Sequence, residues 1–297
     1  MITYSACPVC SSNNIRAFIS AKDHTVSRES FVVMACGDCT HLFTQDIPTA
    51  KHIGKYYASE DYISHSDTRE GLVNRLYHAV RKRTLNAKKN LVQNATGKRS
   101  GRIVDIGCGT GAFLSTMKHA GWSITGIEPD ETARSKAASL YGVSALPAEE
   151  FYNLPAGNFD AITLWHVLEH VHDLHGYISQ LKNMLSAGGR LFIAVPNYTA
   201  YDAKHYGSFW AAYDVPRHLY HFSPQSMRRL LQEHGLAVEK IKPMWFDSFY
   251  VSMLSEKYKN GKGNLVKAFC IGFLSNLKAA MNKEKCSSLI YIVSKDG

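Results

Sequence analysis

The 297 residues suffice for one large domain, or one domain with a small appendage, and 45% hydrophobic content supports a sizeable core. No apolar run reaches the length of about 18 that a membrane span needs, and the first 30 residues carry no apolar signal region, so a cytoplasmic protein is expected. The net charge of +9 is concentrated in residues 69–102, where ten Lys/Arg face only Glu70.

Cys7-Pro8-Val9-Cys10 and Cys36-Gly37-Asp38-Cys39 are two C-x-x-C pairs separated by 25 residues. Each pair can present two thiolates on a tight turn, and two pairs complete a tetrahedral site. With strand candidates at Phe18–Ser20 and Phe31–Ala35, residues 1–50 read as a zinc-ribbon-like module holding structural Zn²⁺. Redox dithiols, a disulfide and an iron–sulfur cluster are the alternatives, and Pro8 and Gly37 within the knuckles favour zinc. Four thiolates fill the coordination, so His41 has no place as a ligand. Cys108, Cys270 and Cys286 are isolated thiols.

Residues 51–100 read as a linker and an amphipathic basic helix. Tyr56, Tyr57 and Tyr62 suit either a cap over a ligand or the packing of the module. Leu72, Val73, Leu76, Tyr77 and Val80 recur at helical spacing, with Arg75, Arg81, Lys82 and Arg83 on other faces. Such a face is either merely solvated or a patch for a phosphorylated substrate, an anionic lipid surface or nucleic acid.

Arg102–Ile106 is a short apolar run typical of a buried parallel strand, followed by Gly107-Cys108-Gly109-Thr110-Gly111 and a helical pattern from Ala112 to Met117. Glycines serve where a strand turns into a helix and backbone must approach a ligand, and this spacing also satisfies the dinucleotide fingerprint. Asp105 discriminates. A carboxylate there repels a pyrophosphate but suits an ammonium and a sulfonium, which points to S-adenosylmethionine. Ser123–Ile127 is a second strand ending in Glu128, 21 residues after Gly107, placed to accept from both ribose hydroxyls. Residues 158–164 form a further strand running into Trp165-His166-Val167-Leu168-Glu169-His170.

VDIGCGTG, Glu128, FDAITLWHVLEHV and LSAGGRLFIAVPN at 185–197 together resemble the class I S-adenosylmethionine-dependent methyltransferases over roughly residues 100–245. The resemblance implies an α/β, doubly wound, Rossmann-like seven-stranded sheet in a catalytic domain of residues 101–297. It implies cofactor positions at Asp105, Gly107, Cys108, Gly109, Gly111, Glu128, Pro129, Ala148 and Trp165. Leu146-Pro147-Ala148-Glu149 lacks the aspartate that many relatives place near the adenine. The N-terminal module and the tyrosine segment are similar to those of bacterial methyltransferases acting on sugars and other small metabolites.

Trp165 and His166 leave their strand at the carboxyl edge, where open α/β sheets bind ligands. His166 is the candidate general base, and His218 the runner-up or a further metal ligand. His166-x-x-Glu169-His170 also invites a second divalent ion on one helical face, by analogy with the Glu-x-x-Glu-His site of small-RNA and ubiquinone-pathway O-methyltransferases; the other reading is a structural pair at a helix start. The inverted zinc-protease reading is rejected, because the string ends a methyltransferase strand. Residues 206–224 read as a polar functional loop in which Arg217 holds a carboxylate or phosphate of the acceptor, while Ser223 caps a helix running from Pro224 to Glu233. Residues 248–285, apolar but lysine-bearing, form a lid or dimer surface before a last strand at Leu289–Val293. The leading function is methyl transfer to an oxygen or nitrogen of a small molecule. An RNA methyltransferase gripping phosphates and a non-catalytic cofactor-binding scaffold are the alternatives.

Overall fold

The structure is a computed structural model describing residues 1–57 and 72–296, with backbone alone for 72–80. The sequence readings of Tyr62 and of the apolar stripe Leu72–Val80 therefore fall outside the described side chains. Among the described residues the strands, in chain order, are β1 (Ile15–Lys22), β2 (Ser30–Cys36), β3 (Leu42–Thr44), β4 (Arg102–Ile106), β5 (Ser123–Ile127), β6 (Ala145–Leu146), β7 (Phe159–Trp165), β8 (Leu185–Pro196), β9 (Tyr220–His221), β10 (Leu236–Pro243) and β11 (Ser288–Lys295). The α-helices are α1 (Leu72–Thr96), α2 (Ala112–His119), α3 (Glu131–Tyr141), α4 (Leu174–Met184), α5 (Tyr201–Tyr206), α6 (Pro224–Glu233), α7 (Asp247–Asn260) and α8 (Leu265–Met281).

The larger sheet has the order β10-β11-β8-β7-β4-β5-β6, the Rossmann-like α/β arrangement. β4 runs parallel to both β5 and β7, and the order reverses at this central strand. A reversal of that kind opens a crevice outside the strands' carboxyl ends. The chain divides into two compact units, and one of them comprises His65–Val167, Ile178–Ile193 and Ile292–Gly297. Its core joins Ile103 of β4, Phe113, Leu114 and Met117 of α2, Ala161 of β7 and Phe192 of β8. Local chemistry sets the helix ends. Asp130 accepts the Ala133 N–H at the start of α3, and Gly142, at φ +60°, closes it.

The other unit comprises Met1–Ser64, Leu168–Tyr177 and Ala194–Tyr291. Its four-stranded sheet, β1-β2-β3-β9, borrows its last strand from residues 220–221. The cysteine-bearing segment is thus not a separate module of residues 1–50. Its Phe31, Val33 and Ala35 share a core with Tyr206, Trp210 and Val215, so the N-terminal strands lack enough apolar surface of their own and complete it from a distant segment. At α6, Ser223 accepts the Ser226 N–H and Ser226 Oγ takes the Ser223 N–H, a reciprocal cap with Pro224 at the first helical position.

Candidate cofactor and metal sites

β4 carries Asp105 to its end. The buried Asp105 carboxylate accepts the Thr163 hydroxyl at 2.6 Å, because Thr163 stands opposite it on β7. Burial pushes this carboxyl up to about 7, although the Thr163 bond and the Lys88 charge favour ionisation. A cation at this place would therefore decide its charge at neutral pH.

The turn after β4 is held by Gly107 N–H and Cys108 N–H, both donating to Ile127 O at 2.8 and 3.0 Å. Gly107 has φ +70°, and a Cβ there would stand 2.5 Å from Val167 Cγ2. Gly109, at φ +53°, has nothing described within 4 Å of where a Cβ would project, leaving its backbone open to a ligand. Gly111 caps the start of α2. Glu128 Oε2 accepts the Gly109 N–H at 2.8 Å and Oε1 the Asp130 N–H at 3.0 Å. Each oxygen keeps a lone pair for a ribose hydroxyl. Burial raises the Glu128 carboxyl despite these two donors.

Trp165 meets Phe113 edge-on at 5.5 Å, and Lys88 Nζ stands 4.0 Å over its ring, a cation–π contact. His166, half-buried, holds φ +60°, a strained left-handed conformation for a non-glycine residue at the exit of β7. The Cys108 thiol is buried and pushed up, so it offers no thiolate. Pro129 and Ala148 are exposed; Pro129 O accepts from Arg134, and Ala148 opens a 3-10 helix, Ala148–Asn153. These shapes fit S-adenosylmethionine: a buried carboxylate, an open glycine backbone and an acid with lone pairs to spare.

In the other unit, a 3-10 helix, Leu168–His170, carries Glu169 and His170. His170 Nδ1 lies 3.0 Å from Arg217 O and 3.0 Å from the Tyr57 hydroxyl; His218 Nδ1 lies 2.9 Å from Ala212 O. A carbonyl only accepts, so each Nδ1 atom is the donor to its carbonyl. Burial, with the nearby His218, holds His170 down to about 4 and therefore neutral. One ligand atom each from Glu169, His170 and His218 falls within 4.8 Å of the others. Two imidazoles fixed by carbonyls and one carboxylate suit a divalent transition metal. The expected grouping of His166 with Glu169 and His170 is corrected on this point. The helical turn begins only at Leu168, so His166 does not join Glu169 and His170 on an i, i+3, i+4 face, and the third residue of the cluster is His218.

Arg217 also differs from expectation. Its side chain is 1% exposed, and its fork is spent internally. Nη2 reaches Asp23 at 3.0 Å and Asp214 at 2.6 Å, Nε donates to Asp214 and Nη1 to Tyr56 O. The fork therefore faces Asp23, Asp214 and Tyr56 inside the unit rather than an acceptor anion. Its role is indirect: the anchored residue presents the carbonyl that orients His170. Residues 206–224 as a whole are mostly buried, because their polar groups bond within the unit; Trp210 Nε1, for example, donates to Asp202 at 2.9 Å. Sequence reasoning missed Asp23, Thr163 and Lys88. Only Asp23 left a signal, since Asp23-His24-Thr25-Val26-Ser27 is an Asx-turn string whose N–H groups the carboxylate accepts.

The four N-terminal cysteines converge, with Sγ pairs Cys7–Cys39 and Cys10–Cys36 at 3.5 and 3.6 Å. Tetrahedral zinc with Zn–S near 2.3 Å requires about 3.8 Å. The Val9 N–H points at Cys7 Sγ, 3.5 Å away, as a support for thiolate charge. His41 is fully buried against Phe43 and Phe222, and burial holds it down to about 3, a neutral core histidine.

A family model for a methyltransferase domain matches residues 77–241. The ubiquinone biosynthesis O-methyltransferase of Xanthomonas axonopodis pv. citri is 29% identical over 161 residues, covering 49% of this chain and 66% of that protein. The mitochondrial ubiquinone biosynthesis O-methyltransferase of Homo sapiens is 30% identical over 166 residues, covering 50% of this chain and 44% of the relative. The match thus spans less than two thirds of these relatives' length. A solved S-adenosylmethionine-dependent methyltransferase from Archaeoglobus fulgidus aligns over 71% of this chain and 94% of its own, at 19% identity and TM-score 0.48. The family match takes in more than half of the chain, which belongs to the methyltransferase-domain family.

Proposed function

We propose that the chain transfers the methyl group of S-adenosylmethionine to an oxygen of a small-molecule acceptor, with a divalent ion held by Glu169, His170 and His218. The observation that carries the metal reading is that one ligand atom each from Glu169, His170 and His218 falls within 4.8 Å of the others, with both rings held through Nδ1 by backbone carbonyls. Such an ion supplies Lewis acidity that makes an acceptor hydroxyl a better nucleophile and fixes its orientation. The chain's own residues do the remainder. Glu128 and the glycine turn hold the ribose and backbone end of the cofactor, Asp105 answers its positive charge, and Tyr57 with Arg217 O locks the His170 ring. His166 is the proton acceptor when no ion takes part. The curated relatives carry O-methyltransferase in their names, which favours oxygen over nitrogen as the acceptor atom. Against the nucleic-acid alternative, three cations of the basic segment are engaged elsewhere: Lys88 over Trp165, Lys98 with Asp160 and Arg102 with Asn158.

The test is S-adenosylhomocysteine release from the purified protein offered catechols, monophenols and amines. Release with catechols that stops on chelation and returns with Mg²⁺, Mn²⁺ or Fe²⁺ supports the proposal. Turnover confined to amines, indifferent to chelator, refutes it. Glu128→Ala is expected to weaken S-adenosylmethionine binding by about 2–4 kcal/mol through loss of charged hydrogen bonds, read by calorimetry. Unchanged affinity removes Glu128 from the ribose site.

For the N-terminal cysteines we propose one structural Zn²⁺ at Cys7, Cys10, Cys36 and Cys39. Protein purified without added metal should hold one zinc per chain by mass spectrometry, and Cys36→Ser should release it and loosen β1 and β2. A metal-free wild-type protein, or a visible iron chromophore, excludes the zinc assignment.

A further inference from the structure

Helices α7 and α8 are packed inside out. The buried side of α8 consists of Ala268, Gly272, Ser275 and Ala279 around Ile271. Its outward side carries Val266, Phe269, Phe273, Leu277 and Met281, exposed by 76%, 60%, 48%, 48% and 90%. α7 follows the same rule, burying Ser248, Ser252 and Ser255 while exposing Tyr250 and Met253. The small residues let the helices approach closely, since a Cβ on Gly272 would stand 2.8 Å from Phe249 Cδ1 and 3.0 Å from its Cα. Phe249, Phe269 and Phe273 stack in series at 5.2 and 6.4 Å, so the exposed face is a continuous aromatic surface. Small residues inside and large apolar ones outside is the polarity of a helix pair facing an apolar medium.

The charges around this face select the medium. Lys257, Lys259 and Lys262 are exposed at the tip of the hairpin, and Lys283 and Lys285 are exposed just beyond the far end of α8. Two of the acids nearby are paired: Glu256 is buried and pairs with Lys267 at 2.9 Å, and Glu284 pairs with Arg228. Two copies docked through this face bring lysines against lysines in either orientation, tip to tip or tip to far end. An anionic bilayer accepts both features, with acyl chains taking the aromatic face and phosphates taking the ends. At 17 residues α8 is about 25 Å long, and no helix among the described residues is long and apolar enough to cross a membrane, so the hairpin would lie in the interfacial plane.

We propose that the α7–α8 hairpin docks this protein on an anionic lipid surface. The proposal does not depend on the catalytic reading, because binding is measured without turnover. Its test is co-sedimentation of the full chain with vesicles of phosphatidylcholine alone or with about 30 mol% phosphatidylglycerol. The wild type should sediment with the anionic vesicles and at most weakly with the neutral ones. Phe269→Ser combined with Phe273→Ser should lower the partition by about tenfold or more, and Lys257→Gln, Lys259→Gln and Lys262→Gln together should abolish the anionic preference. All five positions are exposed or flank the hairpin, so circular dichroism and Tm should stay at wild-type values, which separates lost docking from lost folding. A wild type that ignores both vesicle types, or a Phe variant that binds as well as wild type, overturns the proposal. So does a solution dimer that the Phe variant dissolves, which assigns the face to a second copy.

Discussion

Arg217→Met is expected to destabilise the protein by roughly 3–5 kcal/mol, the cost of breaking a buried ion pair and stranding its partners. Asp23 and Asp214 both lose their counter-charge, and Asp23, with a fully buried side chain, has nowhere to recover water. Urea unfolding should show the loss as a lower midpoint at unchanged slope. A shift below about 1 kcal/mol would mean that the network is neutral for stability, as some buried pairs are. Burial alone would raise the Asp23 carboxyl, but the Arg217 bond and the Ser27 and Thr25 N–H donors outweigh it and hold it well below the ordinary carboxylate range. The stability it contributes is therefore fully present above the unfolded value near 3.9 and is lost as pH falls through the depressed folded value. Asp23→Asn should remove that part of the acid transition.

His170→Ala is expected to lower turnover by roughly 10²–10⁴-fold while leaving S-adenosylmethionine affinity within a few-fold of wild type. Metal analysis should show loss of the ion not attributable to the four cysteines. Tyr57→Phe is the finer probe, because it removes only the hydroxyl 3.0 Å from Nδ1 and should weaken metal affinity by about 10–100-fold. Full turnover by folded His170→Ala, insensitive to chelation, transfers the chemistry to His166. In that case His166→Ala should carry the rate loss instead.

The strands were legible wherever local pattern decided them. Arg102–Ile106 and Ser123–Ile127 have the bounds that their apolar runs indicate, and α6 begins where Ser223 and Pro224 place it. The cysteine pairs converge as their spacing requires. What stayed hidden was decided over long separations. Asp105 meets Thr163 through sheet register, 58 residues apart, and no local string announces that pairing. Arg217 looked like an anion receptor because arginine in a polar segment usually faces water, and its two carboxylate partners make it a core residue instead. The cluster of Glu169, His170 and His218 was half legible. Glu169 and His170 stood out, but helical spacing pointed to His166, whereas a 3-10 turn and a distant loop bring in His218.

The Arg217–Asp23 bond spans 194 residues, and β9 pairs with a strand that precedes it by more than 170 positions. During synthesis the N-terminal strands therefore leave the ribosome long before their last strand and their counter-charge exist. At ordinary elongation rates of about 5–20 residues per second the wait is on the order of ten to forty seconds. The four thiols, all within the first 39 residues, are complete from the outset and can gather early. The open flank of β3 and the unpaired Asp23 carboxylate cannot close until residue 221 has been made. A nascent chain of this kind invites holding chaperones along most of its length, and its refolding from denaturant should be slow for the same topological reason.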